Sequence, residues 1–506
     1  MLKTIERKAL MLDTLKGNIS LDSFRKSVGG KYGIVLDSIS LEGKRLFMLA
    51  EQDNKPSLIV LSLDPETLAG FTGEPMRVDG CDDTFYAVFC PPDHGNAVQL
   101  RKTLPRTAPS VLDCRESFGT GDRIGGISPA TPGHIAALVS TGLTPVLAQQ
   151  SVRENHKTGR TFEKVMDDVT WSVFRTGFNQ SWGSDADHLK EIEDIGIAVK
   201  AGFTMFTLDP SEKIDNSADN DSESTLKDKL ARLFPDAKDA EAFISRYEGK
   251  DNGGRTEVVR SAVKYLNAVR HAVTAYNRLV ELRGDSGFNF EMSIDETGTT
   301  TSALDHRIIA TECSRAGVKL FSLAPRFEGA FEKGIDYRGS IDGFRRSITA
   351  HAALSRELGD YRLSLHSGSD KFSIYPIFGE VTDGFYHVKT AGTSYLEAVK
   401  VTASSDMNLF RRILALSLDT FEENAASYEI SANPGNVPDP QTLNRDEAIR
   451  QIAENNDLRQ VLHIAFGVVL GQMGDELRAT LREHSAEYKQ YLVKHIGRHV
   501  ELLTGR

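Results

Sequence analysis

The chain has 506 residues, of which 40% are hydrophobic and 26% charged, and its formal net charge is −11. This composition is ordinary for a globular protein, and the length predicts one large domain with additions. The acidic balance argues against a general nucleic-acid-binding protein, which needs a basic surface, but it allows a local basic pocket for a small acidic molecule.

The N-terminal segment and the cysteines indicate the compartment. "MLKTIERKALMLDTLKG" lacks the continuous apolar core of a signal peptide, and no run approaches the roughly 20 apolar residues that a membrane helix needs. Cys81, Cys90, Cys114 and Cys313 are too few for a dense disulfide framework. The spacing of Cys81, Cys90 and His94 fits no zinc pattern, which favours buried thiols. We therefore expect a cytoplasmic protein without a membrane segment.

Residues 1–110 are predicted to form a strand-rich accessory region. "KYGIVLDSIS", "KRLFMLAEQ" and "PSLIVLSLD" are apolar runs separated by turn residues. From about residue 114 the pattern changes, because short apolar strands then alternate with helical stretches.

This alternation over residues 111–430 predicts βα units and a parallel sheet. The eight strand candidates are "ESFGTGDRIG", "TPVLAQQ", "SWGSDAD", "FTMFTLDP", "FNFEMSIDE", "VKLFSLAP", "YRLSLHSGS" and "GFYHVKTAG". Eight strands are the number in a TIM-type (β/α)8 barrel, which is the predicted α/β fold. An open doubly wound sheet is the alternative; it is less favoured because no strand is followed by a dinucleotide-type glycine fingerprint.

Two helical additions accompany the predicted barrel. Residues 211–286 form an insertion between its fourth and fifth strands, and the acidic start "DNSADNDSES" favours a solvated loop over a cation site. Residues 431–506 form a helical extension, which we expect to pack on the barrel or to join subunits of a homo-oligomer. Its histidines His484, His495 and His499 are interpreted as surface or boundary residues.

The stretch "LSLHSGSDKFSIYP" locates a candidate site. Leu363 and Leu365 face the helices, so Ser364 and His366 point into the barrel, with His366 at the carboxyl end where barrel enzymes place their sites. Other inward polar residues near strand ends are Asp185, Asp187, Thr207, Asp209, Ser293, Asp295, His387 and Lys389. Because buried unpaired charges are costly, these groups should pair with each other, with a metal or with a charged substrate.

Three imidazoles among carboxylates suit a divalent metal such as Zn, Mn, Ni or Fe. The candidate ligands are His188, His366 and His387, with Glu296 as a ligand or catalytic acid. The choice of His188 assumes that its strand ends at Asp187, since alternation alone would turn the ring away. A helix N-terminal contact for His188, a satisfied core position for His387 and a capping role for Glu296 stay open.

Basic residues near the same strand ends predict an anionic substrate. Arg123, Lys371, Lys389 and Arg326 could together form an anion pocket, although each alone also fits a structural ion pair. Asp209 is a further candidate for substrate contact.

Five stretches resemble the tagaturonate epimerase family: "SDADHLK", "FTLDPSEKIDN", "SIDET", "LHSGSDKFSIYP" and "FYHVKTAGTSYLEAV". The resemblance implies a metal-dependent barrel enzyme that interconverts D-tagaturonate and D-fructuronate in hexuronate catabolism, with a keto-hexuronate as its small-molecule partner. It also implies Asp187 as proton acceptor, Glu296 as proton donor, and His188 and His366 as metal ligands.

The implied reaction inverts the configuration at the carbon β to a ketone. The carbonyl group does not acidify the C–H bond of that carbon. Retro-aldol cleavage, rotation of the aldehyde and re-addition would achieve the inversion; direct proton exchange by two carboxylates is the alternative route. A metal-dependent keto-acid aldolase and a non-catalytic sugar-acid binding protein are the rival functions.

Overall fold

The computed structural model describes residues 5–29, 33–52, 55–79, 83–426 and 428–506, so Cys81 lies outside the described residues. Two sheets organise the chain: a five-stranded antiparallel sheet and a closed barrel of eight parallel strands. The predicted barrel fold is confirmed.

The N-terminal part packs the antiparallel sheet between two layers of helix. The elements are α1 (Ile5–Leu15), α2 (Leu21–Val28), β1 (Ile34–Glu42), β2 (Arg45–Gln52), β3 (Lys55–Ser62), β4 (Glu74–Asp79), β5 (Thr84–Cys90) and α3 (His94–Thr103). The strand order is β1-β2-β3-β5-β4. Alternate residues of β2 lie on opposite faces: Leu46 and Met48 face α1 and α2, while Phe47 and Leu49 pack towards Trp171 on the barrel side.

All eight predicted barrel strands are present, and the last closes on the first where Tyr386 pairs with Glu116. Their apolar residues face the helices and build the main core. The strands are β6 (Glu116–Gly119), β7 (Thr144–Ser151), β8 (Gly183–Leu189), β9 (Met205–Leu208), β10 (Asn289–Ile294), β11 (Ser322–Pro325), β12 (Arg362–Leu365) and β13 (Tyr386–Lys389).

Helices follow every barrel strand. Local signals set their ends: Ser151 and Glu154 form a capping box at one start, and Gly202 adopts a φ of 94° at another helix's end, a conformation that favours glycine. They are α4 (Thr131–Leu138), α5 (Val152–Thr158), α6 (Phe162–Thr176), α7 (Ile192–Ala201), α8 (Glu223–Leu233), α9 (Ala237–Tyr247), α10 (Arg255–Arg283), α11 (Ala303–Arg315), α12 (Ile341–Leu358), α13 (Tyr375–Thr382) and α14 (Thr393–Ser405).

Within the insertion, α10 lies between α7 and α11 as the barrel helix after β9, and α8 and α9 pack on it. The acidic segment at the start of the insertion is less exposed to solvent than the loop that the sequence predicts. Lys229 Nζ lies 2.8 Å from Asp215 and 2.6 Å from Asp221, and Lys264 Nζ lies 2.8 Å from Asp219. Lysines therefore compensate this acidic run.

The C-terminal extension packs on the barrel, which is one of the two arrangements that the sequence predicts. The last helix contacts α4, α13 and α14, and it buries Tyr488, Leu492 and Ile496 within the chain. His499 is fully buried, which corrects its interpretation as a surface or boundary residue. The helices are α15 (Met407–Asp419), α16 (Phe421–Ala425), α17 (Arg445–Glu454), α18 (Asn456–Ile464), α19 (Phe466–Glu483) and α20 (Ser485–Thr504). None of the described helices has the length and apolarity needed to cross a membrane.

Candidate active site

A buried ammonium joins three carboxylates inside the carboxyl end of the barrel. Lys389 Nζ, on β13, lies 2.7 Å from carboxylate oxygens of both Asp185 and Asp187 and 2.8 Å from Glu291. It also donates a 2.6 Å hydrogen bond to Thr207 Oγ1. Side chains from β8, β9, β10 and β13 thus meet at one point, because alternate residues of each strand face inward.

One ammonium does not neutralise three carboxylates. Burial works against charge on Lys389, but these carboxylates raise its pKa above the ordinary lysine value. Burial also raises the pKa of Asp185 to about 6, and Asp187 and Glu291 add to that shift. For Asp187, the charges of His188 and Lys389 outweigh burial and hold the pKa well below its usual range. Asp187 is therefore ionised at neutral pH, as a proton acceptor must be.

Two histidines lie directly beside these carboxylates. His366 Nε2 donates to Glu291 Oε1 at 2.6 Å, and its Nδ1 lies 3.3 Å from Asp295 Oδ1. The His188 ring centroid lies 5.0 Å from that of His366, and its Nδ1 lies 2.9 Å from Asp187 Oδ1. Burial would lower the pKa of His188, but Asp187 and Asp295 raise it to about 10. Positive charge at the imidazoles therefore compensates the surplus carboxylates.

The backbone explains why His188 points into the barrel. The assumption that its strand ends at Asp187 is wrong, because β8 continues to Leu189. Between Ala186 and Leu189 the pairing with β9 shifts register, and His188 has a left-handed φ of 53°. An extra residue of this kind re-aims side chains that strict alternation would direct outward.

The donor set fits a divalent cation. Potential ligand atoms of His188, Asp295 and His366 all lie within 4.8 Å of one another. Imidazole and carboxylate donors suit Zn, Mn, Ni and Fe, and the neighbouring Asp187 and Glu291 supply further negative charge. These residues could hold such an ion in place of the protons on the imidazoles.

Two predicted site residues lie among interior groups instead of on the cavity wall. His387 Nδ1 lies 2.9 Å from Ser117 Oγ, and burial lowers the pKa of His387 to about 3, as for a neutral core histidine. Asp209 accepts a 2.9 Å hydrogen bond from the Ser211 amide and lies 3.6 Å from Lys190 Nζ. Neither His387 nor Asp209 is among the described residues that line the cavity.

Lys371 is also turned away from the cavity. Its ammonium donates to the backbone carbonyls of Glu332, Ile335 and Ser369 at 2.7, 2.6 and 3.0 Å. These three bonds use its whole donor capacity, so Lys371 ties two loops together. Burial lowers its pKa to about 7.

Arg123 and Glu296 do reach the cavity wall. Arg123 is buried and donates to Glu154, while its third nitrogen lies 3.1 Å from His463 Nε2. The Glu296 side chain is 40% exposed and lies 3.8 Å from the Arg153 guanidinium. A carboxyl group open to solvent can exchange protons with water, whereas Arg123 is held by its ion pair.

The cavity above the cluster has a volume of about 520 Å³. A smaller pocket of about 50 Å³ adjoins it and reaches Asp187, His188 and Lys389. The wall of the larger cavity includes Arg153, Asp295, Glu296, Arg326, Phe327, Phe331, Lys333, His366, Tyr428 and Glu429. The sequence analysis did not identify Glu291, although strand alternation counted back from Asp295 places it inside the barrel. It also did not identify Arg153, Lys333 and Tyr428, and no strand pattern marks these three residues.

A closed (β/α)8 barrel with imidazoles and carboxylates gathered at one end, under a polar cavity, defines an α/β-barrel enzyme with a candidate divalent-metal centre. The tagaturonate epimerase family model matches residues 36–503, and the chain belongs to that family. It is accordingly an isomerase of the epimerase type.

Relatives agree over nearly the full length. The tagaturonate/fructuronate epimerase of Thermotoga maritima is 41% identical over 469 residues, covering 91% of this chain and 94% of the relative. The native crystal structure of fructuronate-tagaturonate epimerase UxaE from Cohnella laeviribosi is 34% identical with a TM-score of 0.86, covering 95% of this chain and 98% of that one. A one-glycerol complex of the same enzyme has the same TM-score at 33% identity, covering 97% and 99%.

Proposed function

We propose that this protein interconverts D-tagaturonate and D-fructuronate with the help of a divalent cation. The observation that carries the proposal is the group of His188, Asp295 and His366 beside an ionised Asp187 at the cavity floor. The names of the relatives support the substrate pair.

The residues suit a retro-aldol route. Asp187 takes the proton of the β-hydroxyl as the bond between the α and β carbons breaks, which leaves a three-carbon aldehyde and an enediolate. After the aldehyde rotates, the same carbon–carbon bond re-forms on the opposite face, and Glu296 gives a proton to the new hydroxyl. When bound to His188, His366 and Asp295, a divalent cation would act as a Lewis acid towards the ketone oxygen.

Glu296 suits the second proton transfer because its side chain is partly exposed. Protons that Asp187 gains and Glu296 loses can be exchanged with water between turnovers. Direct proton removal from the β carbon would use the same two carboxylates, but it would act on a far less acidic C–H bond.

Proton NMR of tagaturonate with the purified protein tests the proposal. We expect fructuronate to appear, its formation to stop after chelation, and activity to return when Zn, Mn, Ni or Fe is added back. Unchanged turnover in metal-free protein would contradict the role of the cation. Three-carbon compounds as the main product would indicate an aldolase, and saturable binding without turnover would indicate a binding protein.

A trap for three-carbon aldehydes distinguishes the two routes to inversion. Under the retro-aldol route, the trap captures an aldehyde fragment during turnover, or an added labelled aldehyde enters the product. The complete absence of both would favour direct proton exchange.

A further inference from the structure

Charged side chains of both signs line the cavity. Asp295 and Glu296 share its wall with Arg153, Arg326 and Lys333, and Lys333 also lines the smaller pocket that reaches Asp187. A ligand with one anionic end would therefore be oriented by the cavity, because its anion is repelled from the carboxylates and attracted to a cation that lacks an acidic partner.

The basic residues of the wall differ in how far their charge is already compensated. Arg123 is paired with Glu154 in a buried contact. Arg326 donates to the Thr297 carbonyl and lies 3.5 Å from Glu429. Each of these guanidinium groups has an acidic partner within the chain.

Lys333 is different. Its Nζ donates a 2.7 Å hydrogen bond to Ser367 Oγ, and among the described residues no carboxylate lies within 4.0 Å of it. Ser367, with a left-handed φ of 50°, follows His366 directly and lines both parts of the cavity. The ammonium is thus held beside the strand end that carries a candidate metal ligand.

Burial and neighbouring cations both disfavour the charge on Lys333. They lower its pKa, with Arg153 and Arg123 as the main cations, and the opposing effects of Tyr428 and Glu154 do not reverse that shift. An ammonium that is partly withdrawn from water beside other cations is costly unless an anion joins it. The cavity is where that anion would be placed.

We infer that Lys333 binds the carboxylate of the keto-hexuronate, with its ketone end towards His188 and His366. The inference rests on the proposed function for the identity of the substrate. In a keto-hexuronate the carboxylate and the ketone stand near opposite ends of the chain, so its ketone can face His188 and His366 while its carboxylate faces Lys333, since all three residues line the cavity. In the retro-aldol route, the carboxylate stays on the aldehyde fragment. Lys333 then holds that fragment in the cavity while its carbonyl turns.

The test compares tagaturonate with tagatose, which carries a hydroxymethyl group in place of the carboxylate. Steady-state kinetics and calorimetric binding are measured for wild type, Lys333→Met, Lys333→Arg and the control Lys102→Met, a change at an exposed position of α3. Removing one charge-assisted contact is expected to lower kcat/KM and affinity for tagaturonate about 10- to 100-fold. The values for tagatose stay unchanged in Lys333→Met.

Lys333→Arg is expected to retain most of the preference for the acid, and Lys102→Met all of it. An equal loss for both sugars in Lys333→Met, or no loss for tagaturonate, would overturn the inference. If wild type fails to convert tagaturonate, the proposed function fails separately. The affinities for galacturonate and galactose then test the role of Lys333. A preference for galacturonate that is lost in Lys333→Met supports carboxylate binding by Lys333. The absence of that preference in wild type contradicts it.

Discussion

Two groups of histidines and carboxylates in this molecule have nearly the same composition but different surroundings. In each, potential ligand atoms of three residues lie within 4.8 Å of one another. The barrel cluster consists of His188, Asp295 and His366, and the peripheral cluster consists of Asp370, His495 and His499.

In the peripheral cluster, the chain itself uses the groups that a metal would need. The Asp370 amide donates to His499 Nε2 at 3.0 Å, and His499 Nδ1 donates to the His495 carbonyl at 2.8 Å. The Asp370 carboxylate lies 3.2 Å from Arg459 and 3.0 Å from His495. Both nitrogens of His499 are occupied, and Arg459 is already paired with the Asp370 carboxylate.

The barrel cluster instead lies beside more carboxylates than fixed cations. Asp185, Asp187 and Glu291 share one lysine, and Asp295 adds a fourth acid beside His366. The comparison shows that the number of donors does not define a metal site. What matters is how the protein compensates the charge. An arginine is fixed beside Asp370, whereas protons on His188 and His366 compensate the surplus carboxylates of the barrel, and a bound divalent cation would replace those protons.

Of these variants, Asp187→Asn, beside the barrel cluster, should have the largest effect, and that effect should be on activity. Losing the proposed proton acceptor is expected to lower kcat about 10³-fold, since general base catalysis contributes on this scale. Metal content and thermal stability should stay close to wild type, because Lys389 keeps Asp185 and Glu291 as partners. Epimerisation followed by NMR, with metal analysis of the same sample, checks this. A kcat near wild type would remove Asp187 from the reaction.

Asp370→Ala should affect stability and leave the metal in place. The change leaves Arg459 without its buried acidic partner, while His495 keeps Glu397 at 3.4 Å. The loss at Arg459 is expected to cost about 3 kcal/mol in the free energy of unfolding. Denaturant unfolding measures this loss. Asp475→Ala is the matched control, because its pair with Arg478 is on the surface and should contribute less than about 1 kcal/mol. Loss of bound metal in Asp370→Ala would mean that the peripheral cluster holds the cation.

Removing one histidine from each cluster tests which of the two binds a cation. His366→Ala is expected to weaken metal binding by at least about 100-fold, since even residues that only support metal ligands contribute 10- to 100-fold. His495→Ala should leave metal affinity unchanged. Competition with a chromophoric chelator measures both variants against wild type. Equal affinities in all three proteins would exclude His366 as a ligand.

His499 should make the peripheral cluster sensitive to acid. Burial, with the charge of His495, lowers the pKa of His499 to about 3, against about 6.5 in an unfolded chain. Its contribution to stability is therefore complete above about pH 6.5 and decreases as the pH falls towards 3. Between pH 7 and pH 5, wild type should lose about 2 kcal/mol more than His499→Gln. The free energies of unfolding of wild type and His499→Gln at pH 7 and pH 5 test this prediction. Equal losses of stability in the two proteins would contradict it.

Much of the barrel could be predicted because its strands are short apolar runs with polar ends. The same alternation places Asp185, Asp187, Asp295 and Lys389 inside the barrel, where the structure finds them close together. Alternation fails at His188, whose inward direction depends on a register shift and a left-handed backbone. No periodic pattern encodes such a local irregularity.

The positions of loop side chains could not be predicted from sequence patterns, for another reason. Lys371 lies six residues after the end of β12, in the same stretch as His366, yet its ammonium donates to carbonyls of a loop more than thirty residues earlier in the chain. Lys333 and Tyr428 reach the cavity from loops without periodicity. Their positions depend on how distant loops pack, which a single sequence does not reveal.

Tyr428 and Glu429 border the cavity from a stretch that the ribosome makes only after all eight barrel strands. The later helices matter too, because His463 and Phe466 hold the Arg123 side chain from α18 and α19. A nascent polypeptide that has reached the last strand already carries its reactive groups, but the chamber around a sugar acid is still unfinished. We therefore expect turnover only after residues 428–466 have been made, and a chain that ends before Tyr428 is expected to be inactive.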